Sequence, residues 1–422
     1  MENRNFETIS KCRSCDSSDL IPVLSLGDQY TSDFLDSKNE LNGNKKIPLD
    51  LVLCGVKECS LLQTQHTASR ATLFNKNYWF RSSVNESLVD GLYDITQSIQ
   101  SRITLSDKDY ILDIGCNDGT LLRSYKAGKK IGFEPAPNIA PDASEGTHTI
   151  INDFFSYESF MDKCPDITCK SITTIAMFYD LENPNKFVSD ISKCLAQDGM
   201  WTIQMAYLKT DIDSNGFDNI VHEHLEYYSL HSLECLLERH NLEVFDLELN
   251  DLYGGSIRTY IKHKDSPAFQ VSDSVESLRK QELADGFSDV QTYLDYGKRV
   301  MSLKSDLMNF IQKEQENGKT IYCYGASTKG NTQLQYFGID DTVIEKVVDR
   351  DFRKFGKYTV GTNLLVISEE QGRQDNPDYF IILPWHLTEF FVKREEAYLR
   401  AGGKFIVPMP DFRIITKDDL ED

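Results

Sequence analysis

Four stretches carry residues whose types and spacing suit chemistry. Cys12-x2-Cys15 and Cys54-x4-Cys59 place four thiols in two close pairs, the donor set of a tetrahedral zinc site; with every position taken by sulfur, such an ion is structural. The stretch DNIVHEHLEYYS, Asp218 to Ser229, gathers His222, Glu223, His224, Glu226, Tyr227 and Tyr228. Its histidines stand two apart, not at the spacing of an H-E-x-x-H zinc helix, which favours a histidine general base, with the adjacent Glu223 to orient the ring, over a metal ligand. In DYILDIGCNDGTLL followed by KKIGFEP, an apolar strand enters a glycine turn and a short helix, and a second strand ends on Glu134, about 20 residues past the first glycine, where a carboxylate can accept ribose hydroxyls. GASTKGN, further on, combines Ser327, Lys329 and Asn331 without an acid, a composition suited to phosphate.

The first turn selects its ligand. A pyrophosphate-binding turn needs G-x-G-x-x-G, but here Cys116, Asn117 and Asp118 fill the gap between Gly115 and Gly119, and an acid is poorly suited to phosphate. The turn predicts a cationic, phosphate-free nucleoside, and S-adenosylmethionine (SAM) fits: its amino group toward Asp118 or a backbone carbonyl, its adenosine toward Glu134 and Asp153. Asp113, Gly115, Asn117, Gly119, Phe154, Phe178 and Tyr179 complete the expected cofactor set.

These residues need scaffolds. With 422 residues, 40% of them hydrophobic, the chain can build about three domains: a zinc-binding domain over 1–70, a SAM-binding domain over 71–265, and a Rossmann-like domain with a helical lead-in over 266–422. The expected class is α/β. Leu73, Phe74, Tyr78, Phe80, Leu88, Leu92, Ile95 and Ile99 lie at roughly helical spacing ahead of the first strand, so Tyr78 and Arg81 can reach a ligand from there. The strand running to Met177 ends on Phe178-Tyr179-Asp180, and the carboxyl ends of parallel strands are where ligands bind in such sheets.

A net charge of −21 argues against nucleic acid as a partner, because phosphate backbones require a basic stripe; Arg81, Arg258 and Lys329 must act locally against the general field. The sequence contains no apolar run of the ~18 residues a membrane span needs, and MENRNFETIS lacks the profile of a signal peptide, so a cytoplasmic protein is expected.

Taken together, the cysteine pairs, DIGCNDGTLL, GFEP, NDFF, HEHLEYYS, LYGGSIRTY, GASTKGNTQLQYFGID, VVDRD, GKYTVGT, LPWH and GGKFIVPMP resemble the three-domain, zinc-containing, SAM-dependent sugar C-methyltransferases, whose best-known members methylate C-3 of nucleotide-linked 4-keto-6-deoxy sugars. The resemblance implies a nucleotide sugar between the zinc and SAM domains, assisted by the C-terminal domain. It also implies His224 as the base beside Glu223, with Tyr78, Tyr227 and Tyr228 as candidates to stabilise the developing enolate. Arg81, Asp180, His222, Arg258, Ser327, Lys329 and Asn331 are the expected substrate contacts. Two positions depart from the family pattern: Val221 replaces a frequent Tyr, and Asp180 a cleft His. An O-methyltransferase acting on a nucleotide sugar or glycan is the nearest alternative, a non-catalytic zinc-containing binding protein the next. The oligomeric state, monomer or dimer, stays open.

Overall fold

The computed structural model describes residues 6–38, 40–41, 45–69, 73, 81–84 and 86–420; Tyr78 lies outside them. Strands β1 (Leu20–Gln29), β2 (Ile47–Cys54) and β3 (Leu62–Thr64) form an antiparallel meander beside the four cysteines. This small module shares its core with both larger ones. Cys12, Cys54, Cys59 and Leu61 pack with the central sheet, whereas Val23, Leu24, Leu49 and Leu51 pack with the C-terminal sheet. A segment this short cannot bury enough surface alone.

Helix α1 (Glu86–Arg102) leads into β4 (Tyr110–Ile114), α2 (Thr120–Ser124), β5 (Lys129–Phe133), β6 (Thr149–Ile151) and β7 (Cys169–Ile175). Next come α3 (Pro184–Cys194), β8 (Leu195–Ala206), β9 (Glu226–Tyr227), α4 (Leu230–Glu238), β10 (Leu242–Asn250) and β11 (Ser256–His263). Seven of these strands make one sheet in the order β10-β11-β8-β7-β4-β5-β6. Five of them run parallel, and β11 is antiparallel to both its neighbours. Helices cover the faces, so the inner strands read as near-continuous apolar runs. The chain leaves β4 toward β6 and returns to β7 on the other flank, which opens a crevice at the carboxyl ends of β4 and β7. Asp198 and Gly199 lie inside β8, where the register against β7 slips between Cys169 and Ser171. Strand β9 pairs with β3, Glu226 opposite Gln63 and Tyr227 opposite Leu62, so the histidine-rich stretch ends as an edge strand of the zinc module.

The last third begins with α5 (Val290–Glu316), β12 (Ile321–Tyr324) and α6 (Thr328–Phe337). It continues through β13 (Lys346–Asp349), β14 (Leu365–Ser368), β15 (Tyr379–Ile382) and β16 (Lys404–Val407). These strands form a parallel array in the order β16-β15-β12-β13-β14. Phe34 and Leu35 extend the same sheet through Tyr358 and Thr359. α5 crosses β1 so closely that a Cβ on Gly297 would lie 2.5 Å from the Val23 carbonyl oxygen, a position open only to a residue without a side chain.

Candidate active site

A cavity of about 520 Å³ opens at the β4–β7 crevice, lined by Asp113, Gly115, Asn117, Glu134, Asp153, Phe154, Met177 and Asp180 among others. The size suits a nucleoside carrying an amino-acid tail. Its floor is the glycine turn. The amides of Gly115 and Cys116 both donate to the Phe133 carbonyl at 2.9 Å. Gly115 has φ +73°, which Gly adopts without strain, and a Cβ there would come 3.3 Å from the Met177 Cγ.

Glu134 is held by two backbone donors, Asn117 N at 2.9 Å and Ala136 N at 2.8 Å. Burial nevertheless leaves its pKa above the ordinary value, because it outweighs those amides. The carboxylate's remaining lone pairs are available to ribose hydroxyls. Asp153 is exposed at the rim, accepting from Phe154 N at 2.8 Å, and Phe154 is 42% exposed beside it, an apolar face suited to a base. Asp113 accepts from the Thr173 hydroxyl at 2.6 Å; burial, with Glu134 adding a like charge, pushes its pKa up to about 7. These residues fit SAM. A ligand carrying an ammonium and a sulfonium favours the ionised Asp113, so SAM affinity rises with pH through about 7, by up to about tenfold. Asp113→Asn flattens that rise, and calorimetric titration at several pH values measures it.

Four expected cofactor contacts, Asp118, Gly119, Phe178 and Tyr179, are placed elsewhere. Asp118 folds away from the cavity, accepting from Thr120 Oγ1 at 2.6 Å and from Ser83 N at 2.9 Å. Burial acts to raise its pKa, but these donors bring it below the ordinary value. It therefore pins the incoming segment to the turn, as Asn117 does through Ser82 N at 2.9 Å, while Gly119 caps α2 with φ +78°. Phe178 is fully buried against Trp201, Phe187 and Tyr228, since Ala176, at φ +51°, turns the chain at the end of β7. Tyr179 instead lays its ring on His224, with centroids 4.3 Å apart.

The histidine-rich stretch borders the cavity without lining it. His224 Nδ1 is 2.8 Å from the Asn219 carbonyl, which makes it the N–H donor and leaves Nε2 with its lone pair. That carbonyl, and not Glu223, orients the ring. Burial, against the pull of the Asn219 carbonyl and with the nearby Lys329 charge, lowers the His224 pKa to about 4: it is a neutral imidazole. Lys329 comes from the first turn of α6, and its field also reaches Asp211. Tyr227 donates to the His224 carbonyl at 3.1 Å. His222 is buried, its Nε2 3.1 Å from the Ile47 carbonyl, and Tyr228 is sealed in the core toward the cysteines.

Among the expected substrate contacts, Arg258 is corrected. It is buried on β11 and ion-paired with Asp94 at 2.6 Å and Glu248 at 2.9 Å, because a guanidinium on an inner strand must find carboxylates on neighbouring elements. Arg81 reaches Asp142 at 3.1 Å and the Asn138 carbonyl at 2.9 Å. Ser327 caps α6 through Gly330 N at 3.0 Å, and Asn331 donates to Ser32 Oγ at 2.9 Å. Asp180 lines the cavity.

The cysteines converge. Their sulfurs lie within 4.8 Å of one another, with Cys12 to Cys59 at 3.8 Å and Cys15 to Cys54 at 3.4 Å. Zinc–thiolate bonds of about 2.3 Å require edges of about 3.8 Å, so the four thiols fit a zinc ion. Gln63 Nε2 donates to Cys12 Sγ at 3.2 Å, a supporting hydrogen bond of the kind that fixes metal ligands.

Three family descriptions match in succession: a putative zinc binding domain over residues 12–74, a methyltransferase domain over 92–247 and a C-methyltransferase C-terminal domain over 251–410. The C-methyltransferase NovU of Streptomyces niveus is 29% identical over 417 residues, covering 97% of this chain and 98% of its own. Among solved structures, the plantazolicin methyltransferase BpumL in complex with SAH aligns with 41% of this chain and 82% of its own, at 15% identity and TM-score 0.32. The putative methyltransferase in complex with the Haloferax volcanii Trm112 activator aligns with 42% and 94%, at 14% and 0.34. Values this low carry no argument about chemistry. Among the described residues no helix is long and apolar enough to cross a membrane.

Proposed function

As a three-domain, zinc-containing, SAM-dependent C-methyltransferase, the chain must deliver a carbon nucleophile to a methyl donor, and we propose that this carbon is C-3 of a nucleotide-linked 4-keto-6-deoxy sugar, with His224 as the base. SAM, when bound, supplies the methyl group as an electrophile at the β4–β7 crevice. Asp113, Glu134 and Asp153 would hold it there.

The observation that carries the reading is a neutral imidazole, fixed through Nδ1 by the Asn219 carbonyl, standing where the central sheet, the zinc module and the turn bearing Lys329 meet. A ketone at C-4 acidifies the C-3 proton, and His224 Nε2 takes it. The electron pair passes onto the C-4 oxygen as an enolate, then returns when C-3 bonds to the methyl carbon, as the methyl–sulfur bond breaks and leaves its electron pair on a neutral thioether. Ser327, Lys329 and Asn331, at the N-terminus of α6, are the phosphate-side contacts of the nucleotide.

Methyl-labelled SAM and a panel of 4-keto-6-deoxy nucleotide sugars, some deuterated at C-3, test the proposal. A new methyl on a ring carbon with loss of the C-3 deuterium is the expected product. A product that keeps its deuterium refutes methylation at C-3, and a methoxy carbon refutes carbon attack.

A further inference from the structure

Asp180 sits just beyond β7, in the short helical turn Phe178–Asp180. It is the one expected substrate contact that both lines the described cavity and holds an oxygen, Oδ1, that is shielded from solvent without a hydrogen-bond partner among the described residues. Its surroundings are acidic. Glu223 faces it from the loop before β9, and Glu226 faces it from β9 itself. Arg13 of the zinc module lies beyond Glu226, ion-paired with it at 3.8 Å, and also donates to the Thr64 carbonyl at 2.6 Å and the Thr67 hydroxyl at 2.7 Å. Lys186, on the cavity wall, is engaged by Asp190 at 2.6 Å and Glu158 at 3.2 Å.

Three crowded carboxyl groups served by one guanidinium, Arg13 on the far side of Glu226, cannot all stay ionised. Like charges in a poorly solvated site push protons back on, and a protonated carboxyl offers what an anion lacks, an O–H donor. From this geometry we infer that Asp180 is a neutral carboxylic acid whose O–H donates a hydrogen bond to the acceptor's carbonyl oxygen, stabilising the negative charge that gathers there as the neighbouring carbon loses its proton. The assignment rests on the 4-keto substrate proposed above. Asp180 keeps its proton throughout: the C–H proton goes to His224, the charge rests on the C-4 oxygen, and the hydrogen bond strengthens as that charge develops.

The environments agree with this division. Burial, with Glu223 and Glu226 adding like charge, raises the Asp180 pKa well above the usual carboxylate range, whereas burial lowers that of His224. Two groups pushed in opposite directions beside one cavity are the mark of an acid and base pair. Sequence reading had Asp180 only as a substrate contact; its unpaired oxygen shows what kind.

The test uses the zinc-loaded full chain in D₂O, with S-adenosylhomocysteine in place of SAM and a 4-keto-6-deoxy nucleotide sugar whose C-3 proton exchange is followed by NMR. Asp180→Ala is expected to slow exchange by about 10²- to 10³-fold, more than any change in SAM affinity accounts for, and Asp180→Asn, which retains an N–H donor, to recover most of it. Infrared difference spectra of wild type against Asp180→Asn near neutral pH should show a protonated carboxyl band lost in the variant, and this decides the matter if Asp180→Ala does not fold. Absence of that band, exchange by Asp180→Ala at the wild-type rate, or Asp180→Asn no better than Asp180→Ala overturns the inference while leaving the proposed reaction standing. A wild-type protein that exchanges no C-3 proton on any ketone overturns the proposed reaction, and this inference falls with it.

Discussion

His224→Ala lowers the rate of methyl transfer by about 10²- to 10⁴-fold, the usual contribution of a positioned base, and leaves SAM affinity near the wild-type value, because the imidazole stands outside the residues that line the cavity. His222→Ala is the informative contrast. That ring is buried and bonded to the Ile47 carbonyl, so its removal costs stability, about 1–3 kcal/mol for the stranded acceptor and lost packing, while the folded fraction keeps its turnover. Measuring kcat and thermal midpoint for both variants separates the roles, and a His224→Ala enzyme of unchanged kcat refutes the assignment. The pH profile adds a second check. A pKa lowered to about 4 means the base form is present at every pH above that value, so at saturating SAM the acid limb of kcat lies near pH 4 and not at the ordinary histidine pKa of about 6.5. An imidazole so easily kept neutral is a weak proton acceptor. Its partner must therefore lower the energy of the developing anion, which is the task assigned to Asp180.

Much of this site is written in local sequence. The cysteine pairs converge because their spacing suits two ligand knuckles, and Glu134 ends its strand at the crevice because a doubly wound sheet places strand ends there. The misreadings share a cause: the deciding partner is remote in sequence or belongs to the backbone. Asp118 looked free to meet an ammonium, but Ser83 N, supplied by the segment that precedes the sheet, occupies it. Arg258 looked like a donor for phosphate, yet Asp94 on α1 and Glu248 on β10 claim it. Phe178 was expected to face the cofactor; the left-handed Ala176 reverses the chain first, and an alanine gives no warning of that. His224 is oriented by a carbonyl, and every residue has one, so sequence could only suggest the adjacent Glu223. The cavity wall contributed by Ser82, Leu88, Leu92 and Lys186 was equally silent, since those residue types are ordinary on helices and loops.

Stripping the zinc should abolish methyl transfer while SAM still binds. The argument runs through β9. The histidine-rich stretch is anchored at its end as an edge strand of the zinc module, Glu226 against Gln63 and Tyr227 against Leu62, with Thr64 N donating to the Leu225 carbonyl at 2.9 Å and Leu225 N to the Tyr179 carbonyl at 2.7 Å. Gln63 in turn hydrogen-bonds Cys12 Sγ and, through Oε1, receives Arg13 N at 3.0 Å. Metal site, module and histidine-rich stretch therefore form one mechanical unit. A module without a private core depends on its metal for folding, and its loss frees β9 and shifts His224; a displacement of about 1 Å costs about 10²-fold in rate. The SAM cavity, by contrast, is built from β4, β5, β7 and the turns that follow them, whose core lies mostly in the central sheet. Chelation, or Cys54→Ser, should thus remove turnover, with calorimetry still reporting SAM affinity within about an order of magnitude of the holo-protein. Gln63→Ala, which leaves all four thiols, should weaken zinc retention by about 10- to 100-fold. Metal analysis alongside turnover decides the outcome: a metal-free protein that still methylates would show that the catalytic stretch holds its position without the zinc module, and SAM binding lost together with the metal would show that the module supports the cofactor site as well.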